Sequence, residues 1–314
     1  MENKILPIFD TPELREIHTS AYMLSMLHTC KNFSEKWILK NCINIYYANK
    51  FDEVLTYSYS AIWFLKYFKS HINLFCPHEK VVDLIKHEID REFYLIICVN
   101  EFYIPNRMAF GKNYFGHDIL IYGYDDEKRT FNTIAYNSSG KYQTAAIPFD
   151  LIKKAFLSHR EHSYKFYALK PKQNYSFGKI KKSYLIKSIQ NFLNPKKSNK
   201  GINALYTLLS GVENKIKQND SLDLRSFRTV KERANALCLF CDYLDLSEDL
   251  IKMLKSHCIS TGLLFNIAIK YNITQDLKTA EKLLEKLTKI IDEEIIIFRS
   301  LYEMIIENKS IISL

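Results

Sequence analysis

The sequence predicts two domains, a mixed α+β domain with an antiparallel sheet and an all-α domain behind it. In the first half, helical patterns precede short apolar strand patterns, without the strand–helix alternation that predicts a parallel sheet. From residue 201 onward only helical periodicity remains. The 314 residues also exceed the size, roughly 250 residues, at which single cores stop growing. We expect an α+β domain over residues 1–172, a Lys-rich linker with a short helix over 173–200, and a helical domain over 201–314.

The composition favours packed cores in the cytoplasm. Apolar residues make up 47% of the chain, while only 8 Gly and 7 Pro argue against disorder and against a turn-rich all-β fold. The first residues carry no apolar signal region, and the longest apolar runs are far too short to span a bilayer. Seven cysteines, an odd number, suit free thiols in a reducing compartment.

Helices open the chain. We expect one over residues 12–28, one over 32–38, an aromatic-rich helix around 63–68 and one over 81–91. The strands then follow at 93–99, 118–124, 130–136, 142–147 and 165–169, with a helix at 148–157 before the last of them.

The second half is predicted to be helical throughout. Ser247 and the segment 274–276 look like helix starts, because short polar side chains there can accept hydrogen bonds from the first turn. The expected helices cover residues 180–192, 202–216, 226–244, 247–270 and 277–306.

Two short segments could carry chemistry. His117 opens a buried strand in Gly-His-Asp-Ile-Leu-Ile-Tyr-Gly-Tyr-Asp, which can place its imidazole in a cleft. Thr19 and Ser20 lie at a helix start, where backbone N–H groups and partial positive charge stabilise a nucleophile or an oxyanion. The alternatives are a structural histidine and an ordinary helix cap.

Together these segments resemble the papain-like cysteine-peptidase fold in its bacterial peptide-processing form, and more closely the butirosin-type acyltransferase family. The resemblance also covers residues 103–125 and the C-terminal helices around 223–233 and 266–273. It implies a papain-like first domain and acyl transfer without metal or cofactor.

The resemblance implies the site residues one by one. The family's cysteine falls on Thr19, with Ser20 one residue on, and its histidine on His117. The acidic third member would fall on Ala135, so Asn137, on the same strand face, is the polar substitute that could orient the imidazole.

The function implied is that of an acyltransferase or amide-forming protein in thiotemplated natural-product biosynthesis. The donor would be a thioester on an acyl or peptidyl carrier protein, and the acceptor a small amine or alcohol. A Thr in place of Cys is a weaker nucleophile. This substitution leaves open a catalytically inactive homologue that binds a carrier protein or a pathway intermediate.

A lysine-rich stretch and a CxxC motif complete the candidates. Residues 170–200 hold nine Lys and no Asp or Glu, which suits either a solvated linker or a docking surface for an acidic carrier protein. Neither a nucleic-acid-binding signature nor a membrane segment is present. Cys238 and Cys241 lie in an apolar helix and are expected to be core residues, and no metal site is expected. Cys98 is interpreted as a core or an incidental residue.

Overall fold

A computed structural model of the chain divides into two compact units. The first comprises Met1–Pro12, His18–Phe33 and Ser60–Tyr175, and the second Glu13–Ile17, Ser34–Tyr59 and Ser176–Leu314. The structure describes residues 3–15, 18–31, 33, 36–48, 54–57, 66–73, 80–159, 166–173 and 180–307.

The elements are numbered along the chain. The strands are β1 Asn3–Ile5, β2 Ile45–Ala48, β3 Val54–Tyr57, β4 Phe68–Asn73, β5 Tyr94–Asn100, β6 Gly116–Asp125, β7 Thr130–Tyr136, β8 Tyr142–Pro148 and β9 Phe166–Pro171. The helices are α1 His18–Leu27, α2 Lys36–Cys42, α3 Val81–Asp90, α4 Phe149–Leu157, α5 Lys182–Leu193, α6 Ile202–Lys217, α7 Leu224–Cys238, α8 Phe240–Tyr243, α9 Glu248–Thr274 and α10 Leu277–Glu307.

The first unit is built on an antiparallel sheet, as the sequence predicts. Its strands run in the order β4-β9-β5-β6-β7-β8, and β1 also pairs with β6. The central strand β5 is buried along nearly its whole length, so both of its faces are covered. Helix α4 packs on β5, and the 3₁₀ helix Glu101–Tyr103 follows β5 directly.

The second unit contains a hairpin that the predicted boundaries assign to the first domain. Strands β2 and β3 pair with each other, and Leu55 N–H donates to Oγ of Ser226 on α7. Thr229 returns a hydrogen bond to the Leu55 carbonyl, and Tyr47 N–H donates to the Asn199 carbonyl. These bonds satisfy hairpin groups with partners more than a hundred residues along the chain, which local periodicity does not encode.

The aromatic-rich stretch also differs from its prediction. The expected helix around residues 63–68 lies mostly outside the described residues, and its last residue, Phe68, opens β4. Residues 54–57 form β3. Short apolar runs fit helix and strand templates equally well, and pairing with β2 and β9 decides for strands here.

In the described residues from 180 onward the regular elements are all helices, as predicted, and no strand of four or more residues is present. Ser247 caps α9 through the Leu250 N–H, and Asp276 accepts from the Thr279 N–H at the start of α10. The predicted helix over 226–244 is divided at Leu239 into α7 and α8. The predicted linker contains α5, whose Phe192 packs on Phe298 of α10, so this part of the segment is core.

A charged network lies in the core of the second unit. Arg233 is fully buried between the rings of Phe192 and Phe298, and its guanidinium donates to the Cys42 and Ile43 carbonyls and to Glu294. Nδ1 of the buried His257 lies 2.9 Å from Oε2 of Glu293. Each charge therefore has a partner of opposite sign, which a buried ion requires.

Within the part of the chain described above, none of the helices combines the length and the apolar character needed to cross a membrane.

Candidate functional site

The two segments paired by the sequence meet in the first unit. His18 begins α1, and its ring lies 4.8 Å from the ring of His117, edge to face. Nε2 of His18 is 3.2 Å from Oδ2 of Asp118. The buried Tyr22, one turn further along α1, donates to the Asp118 carbonyl at 2.8 Å. These contacts hold the first turn of α1 against His117 and Asp118 at the beginning of β6.

A carboxylate and a guanidinium face Nδ1 of His117. Oε1 of Glu101 lies 3.2 Å from Nδ1, and Nη2 of Arg107 lies 3.4 Å from it. Strand β5 leads directly into the 3₁₀ helix that carries Glu101, so pairing of β5 with β6 sets this distance. The exposed ring of Phe115 is stacked against the ring of His117, with 5.7 Å between the ring centres.

Glu101 and Arg107 form a buried ion pair. Nε of Arg107 is 3.1 Å from Oε1 of Glu101, although its N–H does not point at that oxygen. The guanidinium also donates to the carbonyls of Tyr136 and Asp118. The pair places charges of both signs beside His117, at a position where burial strengthens electrostatic interactions.

Asp118 is the second carboxylate of the site. Burial acts to raise its pKa, but the hydrogen bond from His18 and the charges of His18 and His117 outweigh burial and leave the pKa below its ordinary value. Asp118 is thus anionic near neutral pH and can hold His18 at the helix start.

The predicted hydroxyl residues lie in the first turn of α1. The Ser20 side chain is buried, with 4% of its surface exposed, and a substrate could not reach it without a movement of the helix. The backbone of Thr19 is helical, whereas its side chain lies outside the described part of the structure. Of the two predicted nucleophile positions, Thr19 is the one adjacent to His18.

Asn137 follows β7 and is occupied by its own turn. Its Oδ1 accepts hydrogen bonds from the N–H groups of Ser139 and Lys141. Asn137 and Arg107 line one small pocket of about 20 Å³, room for about one water molecule. The groups next to Nδ1 of His117 are Glu101 and Arg107. That Asn137 orients the imidazole therefore stays a prediction.

A second imidazole lies against a thiol. Sγ of Cys98 on β5 is 2.8 Å from Nε2 of His159, which follows α4. Cys98 is directly opposite Asp118 in the β5–β6 ladder and hydrogen-bonds its side chain. The sequence left Cys98 as a core or an incidental residue, and the structure shows it partly exposed.

No group of three or more His, Cys, Asp or Glu side chains in the described ranges has the geometry of a metal site. The second unit holds a cavity of about 440 Å³ beside α6 and α7, bordered by Tyr47, Asn214 and Ser226 among others. None of the predicted site residues lines this cavity.

Sequence reasoning found His117 but missed the groups around it. Glu101 and Arg107 fall within the segment 103–125 or just before it, where their charges stand out in an otherwise apolar and aromatic stretch. The sequence indicated Cys98 only weakly, as a thiol in the strand before the one that His117 opens. Nothing in the sequence indicated His159, because its partners come from distant elements.

In this site, Nδ1 of His117 faces both a carboxylate and a guanidinium, close to the first turn of α1. Comparison with known proteins does not add a family to this description. No family model matches the chain, and no curated protein matches it.

Proposed function

We propose that the protein is an acyltransferase or amide-forming enzyme that acts on carrier-protein thioesters in thiotemplated natural-product biosynthesis. The first unit would be a papain-like domain, and His117 its general base. The observation that carries this proposal is the contact of 3.2 Å between Nδ1 of His117 and Oε1 of Glu101.

The proposal requires that Nδ1–H of His117 donate to Glu101, which leaves the lone pair of the neutral ring on Nε2. Nη2 of Arg107, 3.4 Å from Nδ1, can only donate and favours the opposite tautomer, so the carboxylate must prevail over the guanidinium. His117 is partly exposed, so a substrate can approach Nε2. Glu101 itself is anchored by the buried Arg107, which fixes the position of the carboxylate. His117 is therefore flanked by two charged groups at Nδ1 and partly exposed to a substrate.

The surroundings of His117 suit an acyl thioester. Phe115, stacked on His117, and Met108 and Phe110 of the same loop expose apolar side chains that could contact an acyl chain. The N-terminal turn of α1 carries backbone N–H groups at residues 19–21 that could bind a tetrahedral oxyanion.

The simplest reaction is direct aminolysis. The acceptor amine attacks the thioester carbonyl as Nε2 of His117 takes its proton, and the N–C bond forms. The intermediate then expels the carrier thiolate, which receives the proton from His117. An alcohol acceptor would react in the same way and give an ester. In a two-step route, the Thr19 hydroxyl would first take the acyl group.

Binding without catalysis is the second candidate. The residue at the family's cysteine position is Thr19, and the neighbouring hydroxyl of Ser20 is buried. A protein of this kind would still hold a carrier protein or an intermediate near His117, without transferring the acyl group.

The test is transfer from acetylated acyl carrier protein to a panel of small amines and alcohols, followed by mass spectrometry. We expect His117→Ala to abolish transfer and Glu92→Gln, which alters an exposed ion pair with Lys170, to retain it. Full activity of Thr19→Ala would indicate direct aminolysis, and loss with carrier binding intact a covalent route. If the wild-type protein binds the carrier but transfers nothing, or if His117→Ala remains fully active, the enzyme proposal is wrong.

A further inference from the structure

The contact between Cys98 and His159 forms a second reactive centre that the proposed role of His117 does not use. Sγ of Cys98 lies 2.8 Å from Nε2 of His159. We propose that Cys98 is a nucleophilic thiol with His159 as its base, and that this pair accepts acyl groups from small-molecule thioesters. The pair lies within the first unit.

The sheet places the thiol and leaves room for the imidazole. Cys98 pairs with Asp118, and Asn100 pairs with Gly116, so these two pairs are two positions apart in the β5–β6 ladder and share one face of the sheet. A Cβ atom at Gly116 would lie 2.8 Å from Nε2 of His159, closer than such atoms approach. The absence of a side chain at Gly116 therefore allows the imidazole to reach Cys98.

Helix α4 fixes His159 from the other side. The His159 N–H donates to the Phe156 carbonyl at the end of the helix, and Asn100 on β5 donates to Oγ of Ser158. The ring of Tyr114 packs edge-on against His159. His159 is 7% exposed, so the base is shielded while its partner thiol remains partly exposed.

Exposure and partners separate Cys98 from other thiols of the described chain. Cys30 and Cys42 are buried, and burial raises the pKa of Cys42 to about 12. Burial also raises the pKa of Cys241, which is partly exposed. A thiol that lacks a base and sits in apolar surroundings is inert, whereas one beside an imidazole can lose its proton.

The carboxylate of Asp118 opposes the deprotonation of Cys98 by His159. It competes with His159 for the Cys98 proton and repels a thiolate. His18 lies 3.2 Å from the same carboxylate and offsets its charge when protonated. The net effect therefore depends on His159, and removal of the Asp118 charge should increase the reactivity of Cys98.

The proposed step is a thiol–thioester exchange. His159 takes the Cys98 proton, and the thiolate attacks the thioester carbonyl to form a new S–C bond. The intermediate expels the original thiolate, which receives the proton from His159. The products are an acyl-Cys98 thioester and a free small thiol, with no change in oxidation state.

The experiment exposes the full chain to S-acetyl-N-acetylcysteamine at pH 6 and follows acetylation by intact mass and peptide mapping. At this pH only about 0.3% of an ordinary thiol is ionised, so assistance by a base is easily seen. We expect Cys98 to be acetylated on the order of a hundredfold faster than Cys241. His159→Gln should remove this advantage, and Asp118→Asn should increase the rate.

Gly116→Ala is the second variant, because its Cβ displaces the imidazole while both reacting side chains remain. It should slow Cys98 acetylation as His159→Gln does, and thermal melts establish that both variants are folded. Cys98 reacting no faster than Cys241 would overturn the proposal. So would an unchanged rate in a folded His159→Gln. Neither result requires His117: in His117→Ala, Cys98 should still be acetylated faster than Cys241.

Discussion

Nδ1 of His117 and Oε1 of Glu101 lie 3.2 Å apart, although one residue opens β6 and the other sits in the 3₁₀ helix after β5. Antiparallel pairing of Val99 with His117 brings the two together, because Glu101 lies two residues beyond Val99. This contact makes Glu101 the group to test first.

Glu101→Gln should lower the rate of acyl transfer by about tenfold to a hundredfold, since the amide is a weaker acceptor for Nδ1–H than a carboxylate. Ring ¹⁵N chemical shifts of His117 should show a mixture of tautomers in place of one. Glu92→Gln, which alters an exposed ion pair with Lys170, is the control. Unchanged ring shifts in the Glu101 variant would exclude the orienting role.

Loss of one partner of the buried Arg233–Glu294 pair should strongly destabilise the protein. Arg233→Met leaves Glu294 buried with only His257 beside it, and we expect a loss of about 3–5 kcal/mol in the free energy of unfolding. The double variant Arg233→Met/Glu294→Gln should lose less than the sum of the single changes.

The matched control for this network is Arg225→Met. Arg225 pairs with Asp223 at the protein surface, where such a pair contributes about 0–1 kcal/mol. Urea unfolding followed by circular dichroism measures both effects. If Arg225→Met and Arg233→Met lowered the free energy of unfolding equally, burial of the Arg233–Glu294 pair would not explain its effect on stability.

His257 should make stability depend on pH. Burial alone would lower its pKa, but hydrogen bonds to Glu293 and Glu294 outweigh burial and raise it above the ordinary value. The protonated form is therefore favoured by folding. Its stabilisation is fully present below about pH 6.5, the unfolded value, and is lost as the pH rises through the folded pKa.

Melting temperatures measured between pH 6 and pH 9, at intervals of about half a unit, test this linkage. The wild-type protein should lose stability toward the alkaline end, while His257→Gln should be less stable at pH 6 and show a flatter profile. His87→Gln, on the surface of the first unit, should keep the wild-type slope. A steep alkaline decline that persists in His257→Gln would assign the dependence to other groups.

The exposed lysines around α5 should speed association with an acidic carrier protein. Reversing Lys181, Lys187 and Lys196 to Glu should slow association at low salt and flatten its salt dependence, because long-range attraction is lost. Reversing Lys278, Lys282 and Lys289 of α10 changes the net charge equally and serves as the control. Identical rates for both triple variants would leave the α5 lysines as ordinary solvated residues.

Local patterns were sufficient for most of the architecture. The prediction of a mixed α+β fold with an antiparallel sheet is confirmed. Strand β7 matches its predicted bounds, and α6, α9 and α10 differ by a few residues at their ends. Side-chain caps such as Ser247 mark these helices within one turn, so nearby residues suffice to locate them.

Long-range contacts decided the placement of the β2–β3 hairpin and the side-chain contacts of the candidate sites. The hairpin β2–β3 joins the second unit through hydrogen bonds to Ser226 and Thr229, and no local signal specifies such partners. The contacts of His117 with Glu101, and of Cys98 with His159, are likewise set by the register of β5 against β6 and by the end of α4.

The sequence by itself thus determined most elements from residue 81 onward, their order, and His117 as a candidate, but not strands β1 to β4. It did so because periodicity and capping act between residues a few positions apart. Only the tertiary structure decided which carboxylate holds His117 and which base faces Cys98. A side-chain encounter between distant elements depends on strand register and helix packing, and a shift of one residue would turn Glu101 and Cys98 to other neighbours.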